Sequence, residues 1–582
     1  MFVISKDGTG DFTNIQAAVD AIPGGGRAPA LLLVRPGEYR ERVVVDKDNV
    51  RIVGESAGQT VLTHSACAKD TFPDGTPRGT FLSFTLLVTG NNVTVENLTV
   101  RNDAGDGHDA GQAVAVYAAG DRGVWRNCKF IAHQDTLFCG PLMPKIERDI
   151  APRRGSADCV AEVGDCPPTR ARQYFEDCFI RGDVDFVFGP YRCWFERCTL
   201  FMGPGGGWYT AANTPEAQPY GLVFHRCRLT GACPPGAGKL GRPWRAFART
   251  LFLQCDMDAC VSPAGFEDWD EKRKITGRCG EWGTTGARAD LSARHPAEAR
   301  LTDWEAEAVT LQDVLSGWDG WRPDRPGVTW YLCGDSTMAD YPARRAPMTG
   351  WGQALQAFLP ADEFVQNCAV NGRSSKSFID EGRLSAIEPC LRPGDRLVIS
   401  FGHNDEKDDP KRHTDPENTY PAHLAQYVEA ARRHGAQPIL ATSVARRLFD
   451  GEGRVVPTHG GYPDAMRACA ARVGVPLVDL EAGTTALLAR LGEAGSRALF
   501  CHVPAGHPNY PEGAADDSHL HRRGALAVAK LFMELLNGDA SEAPKPVGAA
   551  ADVARLLNSE DAAAEAGASD LMPTQDKGGP AL

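Results

Sequence analysis

Arg126-Asn127-Cys128-Lys129-Phe130 has four later counterparts in this chain: Glu176-Asp177-Cys178-Phe179-Ile180, Glu196-Arg197-Cys198-Thr199-Leu200, His225-Arg226-Cys227-Arg228-Leu229 and Leu253-Gln254-Cys255-Asp256-Met257. Successive cysteines are 50, 20, 29 and 28 residues apart. A unit of roughly 20–30 residues fits one coil of a parallel β-solenoid, where each coil buries its inner face only by stacking on its neighbours. The 50-residue gap then holds an inserted loop, placed in the Pro/Arg/Asp-rich stretch 141–170. Stacked inward, the cysteines act as small buried hydrophobes in a ladder. No Cys-x-x-Cys pair occurs, so the ladder is preferred to a zinc or disulfide framework.

Working outward, residues 1–322 are rich in short β-type runs, among them Leu31–Val34, Arg40–Val45, Val93–Val100, Val114–Ala118, Cys193–Leu200 and Thr250–Cys255. The stretch Ile15-Gln16-Ala17-Ala18-Val19-Asp20-Ala21-Ile22 reads as a short amphipathic helix that caps the solenoid's open end. A chain of 582 residues exceeds what one core normally serves. The Pro-, Gly- and charge-rich segment Trp318–Gly327 marks the change, with the linker at 323–326. Beyond it, strand-like runs (Val328–Leu332, Phe364–Val370, Arg396–Phe401, Pro438–Thr442, Val475–Leu480) alternate with helical ones. Leu424, Tyr427, Val428 and Ala431 share a helix face, with Gly435 as its stop. This predicts an α/β sandwich over 327–537 with a mainly parallel sheet and its site at the strands' carboxyl ends. Residues 538–582, with eight acidic and three basic residues, are expected to be a disordered tail.

The composition, 42% hydrophobic and 24% charged, is that of soluble globular protein. A formal net charge of −13 argues against nucleic acid or an anionic membrane as partner. No apolar run approaches the ~20 residues of a membrane span. Oligomeric state is left open.

Asp135 lies seven residues after Cys128, and Asp185 seven after Cys178. Equal offsets place both at one lateral position on neighbouring coils, a candidate carboxylate pair. Alone, either Asp reads as a buried turn cap. Five further stretches surround the pair: Lys6-Asp7-Gly8-Thr9-Gly10-Asp11-Phe12, Gly37-Glu38-Tyr39-Arg40-Glu41, Gly111-Gln112-Ala113-Val114, Gln134-Asp135-Thr136-Leu137 and Leu240-Gly241-Arg242-Pro243-Trp244. With Cys178–Gly189 they resemble the pectin methylesterases across residues 1–322. The resemblance implies a right-handed parallel β-helix. It implies Asp185 as nucleophile on the galacturonate methyl ester and Asp135 as general acid, then base. Gln112 and Gln134 would donate to the oxyanion, Arg242 would keep Asp185 ionised, and Trp244 would offer an apolar face to the sugar. His133 is read as a solvated loop histidine with no part in the chemistry.

In the second half, Gly334-Asp335-Ser336-Thr337 follows the strand Val328–Leu332, where a tight turn can expose a nucleophile. Asn371-Gly372-Arg373-Ser374, Gly402-His403-Asn404-Asp405 and Asp516-Asp517-Ser518-His519 come after it in order. These four blocks resemble the SGNH (GDSL-type) hydrolases, a flavodoxin-like fold, and their rhamnogalacturonan acetylesterase branch. The resemblance implies Ser336 as nucleophile, His519 as base and Asp516 as its orienting partner. Asp516 is preferred to Asp517 by the Asp-x-x-His spacing. The Ser336 and Gly372 amides and the Asn404 side chain would form the oxyanion hole. The competing reading is zinc held by His502, His507, His519 and His521 with Asp516 and Asp517.

Together these features predict a bifunctional pectin de-esterase needing neither metal nor cofactor. Its only expected partner is a pectic oligosaccharide or polysaccharide. Methyl esters mask the carboxylates of such a substrate, so an acidic protein can still bind it. The alternatives are a β-helix pectate lyase fused to an esterase, or a carbohydrate-binding solenoid with decayed catalysis. The Met1-Phe2-Val3-Ile4 start has no basic or long apolar leader. The expectation is a cytoplasmic protein acting on short imported oligomers, or an extracellular one if a native leader is missing from this sequence.

Overall fold

The computed structural model describes residues 1–23, 29–142, 171–317, 319–325, 327–360 and 363–538. The expected insertion from residue 143, and the tail from residue 539, lie outside these. The chain divides into two compact units between Gly327 and Val328.

The first unit is a parallel β-helix with three sheets of eleven, nine and seven described strands. One coil contributes Arg172–Glu176, Phe179–Gly182 and Val187–Gly189 to them in turn, and the next contributes Arg192–Glu196, Thr199–Met202 and Gly207–Ala212. Several runs expected as single strands are two strands with a corner between them. Val93–Val100 splits into Thr94–Glu96 and Thr99–Asn102, and Cys193–Leu200 splits at Arg197. Thr250–Cys255 ends its first strand at Leu253, and Arg40–Val45 breaks at Glu41 and Arg42. For the first three the reason lies in one backbone conformation. Asn97, Asn127, Asp177, Arg197, Arg226 and Gln254 all have φ between 48 and 54°. Asn and Asp tolerate this left-handed region, whereas Arg and Gln occupy it only because paired strands on both sides fix the corner.

Each recurring cysteine directly follows such a corner and turns inward. Cys128, Cys178, Cys198, Cys227 and Cys255 are all buried and free. Beside them Trp125, Phe175, Phe195, Phe224 and Phe252 are register partners on successive coils. Their rings stack with centroids 5.9, 4.4, 4.4 and 4.7 Å apart. The N-terminal helix, Ile15–Asp20, buries Ile15, Ala18 and Val19 against the first coil. The Glu41 carboxylate accepts from the Ile15 and Gln16 amides at its start, at 2.8 and 3.0 Å. The segment just before the expected linker at 323–326 is docked on this unit. The Asp319 carboxylate accepts from Arg172 at 2.7 Å and Arg122 at 2.8 Å.

The second unit is built on a five-stranded parallel sheet in the order Phe364–Asn367, Thr329–Gly334, Arg396–Ser400, Gln437–Ala441, Leu477–Val478. The last strand is shorter than expected because Asp479 caps a helix that begins at Leu480. The helix Arg522–Leu536 packs Val528, Ala529 and Phe532 against Trp330, Leu332 and Trp351 on one side of the sheet. On the other side Phe378, Phe401 and Tyr427 form a ring cluster. The helix Thr419–Arg433 ends where Gly435 takes φ 69°. Among the described residues no helix is long and apolar enough to cross a membrane.

Candidate active sites

In the seven-stranded sheet, Leu137–Cys139, Val187–Gly189, Gly207–Ala212 and Gly238–Gly241 are consecutive neighbours. Asp135 and Asp185 each precede their strand by two residues, and Arg242 follows the last strand. The Asp135 amide donates to Val184 O at 3.0 Å, which brings the two aspartates level on adjacent coils. Both adopt left-handed backbone, with φ of 62° and 51°. Gln134, next to Asp135, forms a parallel bridge with Gln112 on the preceding coil.

The aspartates are 8% and 5% exposed, and their surroundings differ. Arg242 donates to Asp185 through Nε at 2.9 Å and Nη2 at 2.8 Å, one bond to each carboxylate oxygen. Burial raises the Asp185 pKa, and Arg242 opposes the rise. Burial first, then the Asp185 charge, push Asp135 well above the carboxylate range, with Arg242 opposing weakly. The order of the two shifts makes Asp185 the first of the pair to ionise and Asp135 the one that holds its proton longer. Trp244 is half-buried and tilted against Phe188, with centroids 5.8 Å apart, at the end of an outer aromatic cluster.

Several neighbours carried no recognisable sequence signal. Trp208 and Trp269 flank the Arg242 guanidinium, their centroids 3.7 and 3.9 Å from its carbon. His133 is not a freely solvated side chain. Its Nδ1 lies 3.0 Å from Asp183 Oδ2, because residues 133 and 183 are level on adjacent coils. With Asp106, these two residues place one ligand atom each within 4.8 Å of one another, the described cluster able to accept a cation.

The second site gathers at the carboxyl edge of the other sheet. Ser336 follows the strand Thr329–Gly334, whose two sheet neighbours lead into the loops carrying Gly372 and Asn404. The triad residues on the other side come from the hairpin Phe500–Val503/Ala514–Leu520. His519 Nε2 is 2.9 Å from Ser336 Oγ, and His519 Nδ1 is 2.7 Å from Asp516 Oδ2. Asp516 Oδ1 accepts from the Ser518 and His519 amides at 2.8 and 2.9 Å. Burial works to raise the Asp516 pKa, but the bonds from His519 and Ser518 win and bring it to about 2. Asp516 is therefore a permanent anion behind the imidazole.

Beneath the serine, Asp335 is buried and accepts from the Thr337 amide and hydroxyl, both at 2.9 Å. Burial lifts its pKa to about 6. The Asn404 amide donates to Arg373 O at 3.1 Å and so ties the two loops beside the serine together. Gly372 takes φ 76°, which the turn requires.

The histidines considered for zinc are dispersed. Asp516 and Asp517 point to opposite faces of their strand, so His502 bonds Asp517 at 2.8 Å while His519 serves Asp516. His507 accepts from the Asn509 amide, and His521 caps the last helix. His403 and His459, both buried, share a hydrogen bond of 3.0 Å. Burial drives their pKa values down to about 3 and about 2, so both stay neutral.

Comparison with known proteins gives a separate result for each unit. The family model described as Pectinesterase matches residues 1–141 and 168–317. The model described as GDSL-like Lipase/Acylhydrolase family matches residues 332–525. The break at 142–167 in the first match falls inside the stretch expected to be an insertion. Rhamnogalacturonan acetylesterase RhgT of Bacillus subtilis (strain 168) is 45% identical over 205 residues, 35% of this chain and 87% of that protein. Pectinesterase 31 of Arabidopsis thaliana is 32% identical over 314 residues, 53% of this chain and 89% of that protein. The structure of pectin methylesterase PemA from Erwinia chrysanthemi is 27% identical, covers 54% of this chain and 97% of its own, and aligns with a TM-score of 0.44. The chain belongs to the pectinesterase family through its first unit and to the GDSL-like acylhydrolase family through its second.

Proposed function

We propose that this protein is a pectin de-esterase with two independent sites, releasing methanol at the first and acetate at the second. One observation carries the reading. Within its own unit each nucleophile is bonded to the group that readies it: Asp185 to Arg242, and Ser336 to His519, which Asp516 holds in turn.

At the first site the ionised Asp185 attacks the carbonyl carbon of a galacturonate methyl ester. The Gln112 and Gln134 side chains donate to the oxyanion, the charge that most needs stabilising in acyl transfer. Asp135 gives its proton to the departing methoxide, leaving an acyl-enzyme on Asp185. Asp135, now ionised, takes a proton from water as that water attacks the acyl carbon. Collapse frees the Asp185 carboxylate and galacturonic acid, which gives its proton to solvent. Trp244 supplies the apolar face for the ring, beside Phe188.

At the second site His519 takes the Ser336 proton as Oγ attacks the acetyl carbonyl, and Asp516 holds the imidazole and stabilises its positive form. The Ser336 and Gly372 amides and the Asn404 side chain receive the oxyanion. The bond from Asn404 to Arg373 O is then shared with, or yielded to, the acetyl oxygen. The alcohol leaves with the proton from His519, and water completes the cycle. The acetylated sugar is taken to be part of rhamnogalacturonan, on the strength of the second unit's likeness to an acetylesterase of that name.

Quantifying methanol and acetate from defined methylated and acetylated pectic oligosaccharides tests the proposal. Release of both supports it. Release of neither, or unsaturated sugar products in place of methanol, overturns it.

A further inference from the structure

We propose that Trp208 is a positioning residue of the methylesterase site. With Trp269 it clamps the Arg242 guanidinium so that two of its N–H groups stay in line with the Asp185 carboxylate. This rests on the reading of Asp185 as nucleophile given above.

The geometry is specific. One face of a guanidinium has room for one indole, so two ring centroids at 3.7 and 3.9 Å enclose it from both sides. The stack continues outward, with Lys239 Nζ 4.9 Å from the Trp208 ring and the Arg273 guanidinium 4.4 Å from the Trp269 ring. Trp208 itself is fixed. Its Nε1 donates to Glu267 Oε2 at 2.9 Å, and Lys239 pairs with that carboxylate oxygen at 3.4 Å. Its amide donates to Asp183 O at 3.0 Å and its carbonyl accepts from the Phe186 amide. Thr210 pairs with Val187, so Trp208 is level with Asp185 on the next coil. One lateral position thus carries Asp135, Asp185 and Trp208 on three successive coils.

The physical need for the clamp is plain. An arginine side chain is long and flexible, and two hydrogen bonds anchor only its tip. Without walls the guanidinium can swing toward water and leave a buried carboxylate uncompensated. The indole faces attract the cation and exclude water, which strengthens its pairing with Asp185. The charged groups that face Asp185 are Asp135 from the preceding coil, Arg242, and Arg273 at longer range. Among the described residues only Arg242 holds it by direct side-chain bonds. Loosening Arg242 therefore raises the Asp185 pKa further, and the acid limb of kcat/KM for methanol release moves to higher pH.

The experiment uses the full chain and compares wild type with Trp208→Leu, Trp208→Phe and Trp269→Leu. It follows methanol release across pH, with thermal unfolding as the control for folding. Trp208→Leu is expected to lower kcat about tenfold, the scale of one buried cation–π contact. KM should change by less than about twofold, since Trp208 acts through Arg242 and not on the sugar. The acid limb should shift upward, and Trp208→Phe, which keeps a ring, should recover most of both effects. Trp269→Leu, on the opposite face of the guanidinium, should shift the limb in the same direction and keeps the test alive if Trp208→Leu does not fold. Unchanged kcat and acid limb in the Leu variants would overturn the clamp. So would equal losses in Trp208→Leu and Trp208→Phe with the limb unmoved, the result of a packing defect alone. Wild-type protein that releases no methanol would instead overturn the reading of the site on which the clamp depends.

Discussion

Asp135 and Asp185 sit level on adjacent coils of the β-helix, 50 residues apart in sequence, and among the described residues only Asp185 of the two is bonded to an arginine. Their pKa values are both displaced upward from 3.8, that of Asp135 much further. The first chemical step needs Asp185 ionised and Asp135 protonated. Methanol release should follow a bell in pH. Activity falls at low pH as Asp185 gains a proton, and at high pH as Asp135 loses one. The acid limb should lie above the ordinary aspartate range, and the window between the limbs should be wide. A kcat/KM profile over pH measures both. An acid limb below 3.8 would contradict the burial of Asp185.

The two activities should separate by single substitutions. Asp185→Asn should abolish methanol release, by at least about 10³-fold, and leave acetate release within about twofold of wild type. Ser336→Ala should do the reverse. Both products are measured on one doubly esterified substrate. A folded variant that loses both activities would refute two independent sites.

The adjacent acids Asp516 and Asp517 should differ sharply. Asp516 holds the His519 ring at 2.7 Å, whereas Asp517 bonds His502 at 2.8 Å and Arg447 at 2.8 Å. Asp516→Asn should cut kcat for acetate release by on the order of 10³-fold or more, through loss of the correct tautomer. Asp517→Asn should cost less than about tenfold. Because the Asp516 pKa is depressed to about 2, its support of His519 is complete well above that pH and fades only as pH falls through it. Kinetics of both variants at neutral pH decide the assignment.

The cysteine column should be chemically silent in the native protein. All sixteen described cysteines are buried and free. A thiol reagent should modify at most two, Cys159 and Cys166, which lie outside the described residues, until the protein is denatured. Cys198→Ala should destabilise the first unit by about 1 kcal/mol through the gap it leaves. Reagent titration with and without denaturant, and melting of the variant, check both statements.

Much of this was readable before the fold was seen. The equal offsets of Asp135 and Asp185 from their cysteines placed them together, because a solenoid converts a sequence period into a lateral position. The blocks around Ser336, Gly372 and Asn404 lie after strand ends because parallel sheets present their loops there, whereas Asp516 and His519 sit inside the strand Ala514–Leu520 of a separate antiparallel hairpin. The left-handed corners were harder. Asn97 and Asp177 are residue types that favour such turns, but Arg197 and Gln254 are not, so the runs containing them looked continuous. Neighbouring strands, and not local preference, impose the turn.

The sequence by itself determined the coil period, the order of the catalytic blocks and the alternation of strand and helix, all of which are local patterns repeated along one dimension. Only the tertiary structure decided what surrounds each reactive group. Trp208 and Trp269 reach Arg242 from different coils and loops, His133 finds Asp183 across 50 residues, and Asp516 and Asp517 part to opposite faces of one strand. No period or motif encodes these pairings. They arise when coils stack and burial leaves each charge only the partners within reach.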